Sequence, residues 1–165
     1  MKKNLLILMT LTAAVLSAIA PASADDRAIT RSKLPQQARN FLTTHYPRTA
    51  ISNATIDREV FDTTYDVTLE DGTRLEFTRN GKCVEIRSPR NGSIPASVIP
   101  AKMAAYINKN YPGAEVRMME VDGRECDVEL SNGIEITFNH QLEMVRSNDW
   151  TKHRPDHRFT LRENF

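Results

Sequence analysis

Two cysteines, four histidines and a few paired carboxylates are the groups in this chain that could do chemistry. Thiols could form a disulfide, hold a metal or act as nucleophiles. The cysteines are Cys83 and Cys126. Cys126 shares alternation parity with Val128 and Leu130, and so is expected to face a core. Cys83 is out of phase with Val84 and Ile86 and is expected on the opposite side of a sheet. Thiols on opposite faces cannot bridge without backbone movement. The expectation is a buried, inert Cys126 and a more accessible Cys83 that could pair with another chain.

The histidines, His45, His140, His153 and His157, are scattered. Only the last two have helical i, i+4 spacing, and Arg154-Pro155 between them opposes a helix. No cysteine or carboxylate completes a zinc frame with them, so no metal is expected. The carboxylate pairs Asp25-Asp26 and Glu70-Asp71 lie near the mature start and in a turn. Acid–base work needs an enclosed site that shifts a pKa, and neither place provides one. There is no nucleophile elbow, no phosphate-cradling glycine loop and no paired-histidine zinc motif. The reading is a non-enzyme with no cofactor.

The address is more explicit. Lys2 and Lys3 precede an apolar run from Leu5 to Leu16, and Ala22-Ser23-Ala24 follows. A basic start, an apolar stretch and a small-residue cleavage motif form a secretory signal peptide over residues 1–24. The run is too short to make a good membrane span. Cleavage after Ala24 would leave a soluble chain exported to the periplasm or beyond, with no membrane insertion. It would also remove two of the 22 basic residues and none of the 21 acidic ones, for a mature charge of −1. Such a chain has no broad cationic field for nucleic acid. With 40% hydrophobic and 26% charged residues it is neither collagen-like nor low-complexity.

The elements that must position any site come in duplicate. Ile29–Pro35 aligns with Ile94–Pro100, Phe41-Leu42 with Tyr106-Ile107, and Tyr46-Pro47 with Tyr111-Pro112, all 65 residues apart. Beyond Ile51 and Val116 the offset becomes 61. Asp66-Val67-Thr68-Leu69 then meets Asp127-Val128-Glu129-Leu130, Phe77 meets Phe138, and Val84 meets Val145. The units are 29–88 and 93–147, with a basic tail over 148–165 that carries Trp150.

Each unit opens with a helix. Leu34, Ala38, Phe41, Leu42 and Tyr46 recur at helical spacing, as do Ile99, Met103, Tyr106, Ile107 and Tyr111. Pro35 and Pro100 suit a first helical turn, and Pro47 and Pro112 force the stop. Four strands then follow. Tyr65, Val67 and Leu69 alternate with polar residues, and Asp71-Gly72 and Asn132-Gly133 mark hairpins in which both turn residues would take positive φ. Asn80-Gly81 marks a further hairpin, where unit two has Gln141-Leu142 and a turn expected to be built differently. A unit of this size is marginal alone, so the two are expected to pair edge to edge. The fold class is α+β: two tandem α-β-β-β-β repeats forming an antiparallel sheet of up to eight strands, with helices on one face.

The repeated pattern of Leu-Pro, helix, Tyr-Pro and [Tyr/Cys]-x-Val-x-Leu-x-x-Gly-x-x-[Leu/Ile]-x-Phe resembles the tandem PepSY-like family of exported bacterial proteins, also described as β-lactamase-inhibitor-like. The resemblance covers about 29–147. It implies a signal peptide, two α-β-β-β-β modules and one curved sheet with a concave face. Cys126 in place of Tyr65 and Leu142 in place of Gly81 depart from the pattern. The family name records a likeness of fold and does not establish inhibition.

The face of the sheet away from the helices is the candidate surface. Parity assigns it Thr68, Arg74, Glu76 and Thr78 from unit one, and Arg117, Met119, Glu129, Glu135 and Thr137 from unit two. Trp150 could anchor a partner beside it. The expected function is a non-enzymatic binding or inhibitory module acting on an unidentified exported protein through this face. The alternative is a small-ligand sensing or carrying protein with a pocket between the units.

Overall fold

A computed structural model of the chain describes residues 27–59 and 62–149. The expected signal peptide and cleavage site, and the tail from Trp150 onward, lie outside the described residues.

All strands join one antiparallel sheet in which spatial order follows chain order. A two-residue strand, β1 (Arg27–Ala28), precedes helix α1 (Gln36–His45). Strands β2 (Ile51–Arg58), β3 (Thr63–Leu69), β4 (Arg74–Thr78) and β5 (Cys83–Arg87) follow. Helix α2 (Ala101–Asn110) then leads into β6 (Val116–Asp122), β7 (Glu125–Leu130), β8 (Glu135–Asn139) and β9 (Met144–Ser147). The sheet thus has nine strands where eight were expected. The addition is β1, which pairs through Arg27 with Ile56 and through Ala28 with Thr55. Two residues leave no alternation to read.

Pro35 and Pro100 stand as the N-caps of the helices, one position earlier than a first-turn proline. Tyr46 and Tyr111 close them, each amide donating to a carbonyl four residues back. The apolar stripes of both helices lie on one face of the sheet. Across that face runs the register row Ala54, Val67, Leu75, Ile86, Met119, Val128 and Ile136. Phe77 meets Phe41 edge to face at 5.8 Å, and Phe138 meets Tyr106 likewise at 5.5 Å. Side chains of both helices and of strands on both sides of the β5–β6 pairing form one buried cluster.

The hairpins differ from expectation in detail. Gly72 and Gly133 take positive φ, but Asp71 and Asn132 do not. Leu69 and Leu130 each accept from the glycine amide three residues on. This is a three-residue loop with the glycine left-handed, the commonest hairpin connection after the two-residue turn. The aspartate and asparagine oxygens instead accept from the amides of Thr73 and Ile134. Leu142 also corrects an expectation. It adopts φ +59 and donates to Asn139, as Gly81 at φ +82 donates to Thr78. The turn is therefore built alike in both places. A left-handed leucine costs about 1–2 kcal/mol. The Asn139 side chain offsets part of this by accepting from the amides of Gln141 and Glu143. Gly81 has a further constraint, because a Cβ there would meet the Ala38 amide nitrogen at 2.8 Å.

One buried group differs sharply between the helices. Tyr111 has its hydroxyl 3.3 Å from Ser147 Oγ. Tyr46 has no hydrogen-bond partner for its hydroxyl among the described residues. Ser147 pairs with Ile136 in the register, and Leu75 pairs with Ile86 at the matching place on β4 and β5. An isoleucine offers no oxygen, so the phenol is stranded. Burial, with smaller contributions from Cys83 and Asp71, holds its pKa well above the usual tyrosine value. A buried donor without a partner costs about 1–3 kcal/mol. Tyr46→Phe is therefore expected to raise the urea midpoint, and Tyr111→Phe to lower it modestly.

Candidate functional site

The face opposite the helices has no element packed on it among the described residues. Its character follows from cross-strand register. Asp66 of β3 stands opposite Glu76 of β4, and Glu76 opposite Glu85 of β5. Glu85 stands opposite Glu120 of β6, and Glu120 opposite Asp127 of β7. Five carboxylates thus form one straight row across five neighbouring strands. At the spacing of paired strands the row is about 19 Å long. Thr137 and Arg146 continue it on β8 and β9.

Like charges directly opposite on a sheet are destabilising. The effect on titration falls on Glu76, the second member of the row. Partial burial, then the charges of Asp66, Glu85, Glu120 and Asp62, raise the pKa of Glu76 above its ordinary value. Relief is local. Arg87 contacts Glu85 at 3.2 Å and reaches toward Glu129 at 3.9 Å. Asp127 accepts from the Thr137 hydroxyl at 2.5 Å. Neither Glu76 nor Glu120 has a cation within ion-pair distance among the described residues. Asp66, Thr68, Arg74, Glu76, Glu85 and Arg87 rim a shallow depression of about 220 Å³ at the start of the row.

A second row beside the first runs Thr68, Arg74, Arg87, Met118, Glu129 and Glu135. It changes from basic to acidic along the sheet. Of the residues expected on this face, Thr68, Arg74, Glu76, Thr78, Glu129 and Glu135 have the register to be there. Thr137 has it too, but is only 8% exposed. Arg146 of β9 crosses β8 to form a two-pronged ion pair with Glu125 of β7, and its side chain roofs that part of the sheet. That pair holds the Glu125 pKa below its usual value.

Two expectations are overturned by β-bulges, which insert an extra residue and reverse alternation beyond it. Between Val116 and Met118 the register slips at Arg117. Met119 therefore lies opposite Ile86 and Val128 on the core side, and Met118 takes its place between Arg87 and Glu129. Arg117 itself is half-buried, and its Nε has no hydrogen-bond partner among the described residues. On β5 the slip falls at Val84, which brings Cys83 opposite Phe77 and against the core. Cys83 thus lies on the core side and not on the opposite face, although it stays the more exposed of the two thiols. Burial, with Glu76 and Glu85 adding to it, pushes its pKa up to about 12. Burial and Asp127 bring Cys126 to about 11. Both thiols are free, and at neutral pH both stay protonated and unreactive.

The row was missed because Asp66, Glu85, Glu120 and Asp127 meet only through pairing across strands. Asp66 and Asp127 could have been found, since they occupy matching places in the two aligned segments. Glu120 could not, because it follows a bulge.

No cluster of three histidine, cysteine or acidic side chains that could hold a metal ion occurs among the described residues. No helix among them is long and apolar enough to cross a membrane.

The family model described as "Putative beta-lactamase-inhibitor-like, PepSY-like" matches residues 63–146. A solved structure from Bacteroides vulgatus, described as a "putative periplasmic protein" of the DUF2874 family, is 33% identical with a TM-score of 0.73. The match covers 77% of this chain and 99% of that one. A second Bacteroides vulgatus structure, described as a "putative periplasmic protein of unknown function", is 32% identical with a TM-score of 0.69, over 75% of this chain and 99% of that one. A structure from Bacteroides thetaiotaomicron, described as a "putative calcium-regulated periplasmic protein", is 28% identical with a TM-score of 0.72, over 76% and 98%. No curated protein matches the sequence.

Proposed function

The chain belongs to the PepSY-like, beta-lactamase-inhibitor-like family, and from that premise we propose that it is an exported, non-enzymatic binding module whose open sheet face docks a positively charged surface of another periplasmic protein. The observation that carries this reading is the carboxylate row from Asp66 to Asp127. Its like charges weaken the sheet, so folding alone does not favour it. Departures from local consistency concentrate where a protein meets something else. A cationic partner would turn the repulsion into attraction, and the field would also speed its arrival.

The export reading rests on the basic and apolar start of the chain and on cleavage after Ala24. The two-repeat reading is supported by the element bounds, since α2 begins 65 positions after α1, and β8 begins 61 after β4. The bulges recur at matching places, at Ser52 and Arg117, and at Val84 and Val145. The row then spans the β5–β6 junction between the units.

The test is capture. Immobilised residues 25–165 are expected to retain a saturable partner from native periplasmic extract. The Glu76→Lys/Glu120→Lys variant is expected to lose it, and Lys109→Glu on the helix side to keep it. Equal retention by all three would count against the open face. The same assay with Ca²⁺ and with a chelator brings in the relative described as calcium-regulated. No carboxylate cluster that could hold a metal ion occurs among the described residues, so retention is expected to be the same with either.

A further inference from the structure

A second concavity lies away from the open face, where the end of α1, the β3–β4 turn and the linker between the units converge. It is an open cleft of about 470 Å³, and its lining includes His45, Tyr46, Arg48, Asp71, Thr73 and Ser93. That volume is in the range of small-molecule sites. Tyr46 is only 9% exposed, and its hydroxyl is the stranded donor described above. A buried polar group without a partner calls for an explanation, and an absent ligand atom is one.

The other polar groups of the cleft are of both signs. Arg48 has no ion pair among the described residues. Asp71 accepts the Thr73 amide through Oδ1 at 2.8 Å, which leaves its second oxygen to be used. His45 also lines the cleft and is fixed by a 2.9 Å contact between Nδ1 and Ser97 Oγ. The carbonyl end of α1 adds partial negative charge near Asp71. An anion alone would be opposed by Asp71 and the helix end, and a cation alone by Arg48. A molecule with both charges satisfies each.

We propose that this cleft binds a small zwitterion, an amino acid or short peptide. Its carboxylate lies on Arg48, its ammonium faces Asp71, and an acceptor oxygen takes the Tyr46 hydroxyl. Arg48 gives the carboxylate a two-pronged partner. The hydroxyl is closed off from solvent, so the flanking side chains part when the ligand enters. This site is separate from the carboxylate row and does not depend on it.

The test is a titration of ¹⁵N-labelled residues 25–165 with glycylglycine, following the Thr73 and Gly92 amides. Acetate and ethylammonium are run beside it as the two halves of the charge pattern. Saturable shifts are expected with the dipeptide by about 10 mM, and much weaker ones with either half. Arg48→Gln and Asp71→Asn should each weaken binding about tenfold. Tyr46→Phe should weaken it about fivefold while the protein melts no lower than wild type. Glu76→Lys/Glu120→Lys should leave the titration unchanged. No shifts at the cleft, acetate binding as well as the dipeptide, or binding indifferent to Arg48→Gln would each overturn the proposal.

Discussion

Phe138→Ala is expected to destabilise the whole protein by about 3–5 kcal/mol, and Phe77→Ala by a similar amount. Both rings are completely buried, and each meets an aromatic ring of the helix above it. Truncation would remove the largest side chain from the centre of each helix–sheet contact and leave a cavity the neighbouring β-strands cannot fill. Domains of this size are stable by only about 5–15 kcal/mol, so either variant would be close to unfolding. The form of the transition is as informative as its midpoint. Met119 and Ile86 pair across β5 and β6, and both belong to the common core. Each variant should therefore unfold in one urea transition, seen alike by far-ultraviolet circular dichroism and by tyrosine fluorescence. Two separated transitions in Phe77→Ala would mean that the second half folds without the first.

The carboxylate row predicts the opposite sign. Glu76→Gln with Glu120→Gln is expected to stabilise the protein at neutral pH. The two substitutions remove all four opposed like-charge contacts, from Asp66–Glu76 through Glu120–Asp127. Such contacts are each worth about 0.2–1 kcal/mol, and solvent screening brings their sum to about 1–2 kcal/mol. The pH dependence follows from Glu76, whose pKa is raised in the folded chain. Between its ordinary and its raised pKa the folded state holds more proton than the unfolded state, so stability there falls as pH rises. The penalty is complete above the raised pKa and gone below the ordinary one. The gain from the double variant should therefore be greatest near pH 7 and shrink as the pH is lowered toward about 4.5. Thermal melts of both proteins across that window would measure it. A variant less stable than wild type at pH 7 would mean that the row is held by cations.

Much of this architecture was open to inspection in the residues. Proline placement and apolar spacing located both helices, and alternation located the long strands. Asp71-Gly72 and Asn132-Gly133 marked hairpins, although only the glycines proved to need the left-handed region. The failures have one physical source. Alternation is reliable only while the register is unbroken, and a bulge reverses it without any mark in the sequence. Arg117 did this to Met119, and Val84 did it to Cys83. The row of carboxylates failed to show for a related reason. Its members are far apart in the chain, and the pairing of five strands brings them into line. Strand β1 was too short to carry a pattern at all.

The most direct measurement is a footprint. A short oligolysine would be titrated into ¹⁵N-labelled residues 25–165 at low salt, with amide shifts mapped onto the sheet and the helices. The predicted result is a contiguous patch on β3 to β7 around Glu76, Glu85 and Glu120. It should weaken as the ionic strength approaches about 0.1 M, where screening acts over about 10 Å, and vanish in Glu76→Gln/Glu120→Gln. Shifts scattered over the helix face, or a patch on the sheet that survives the double substitution, would contradict the open face as the docking surface.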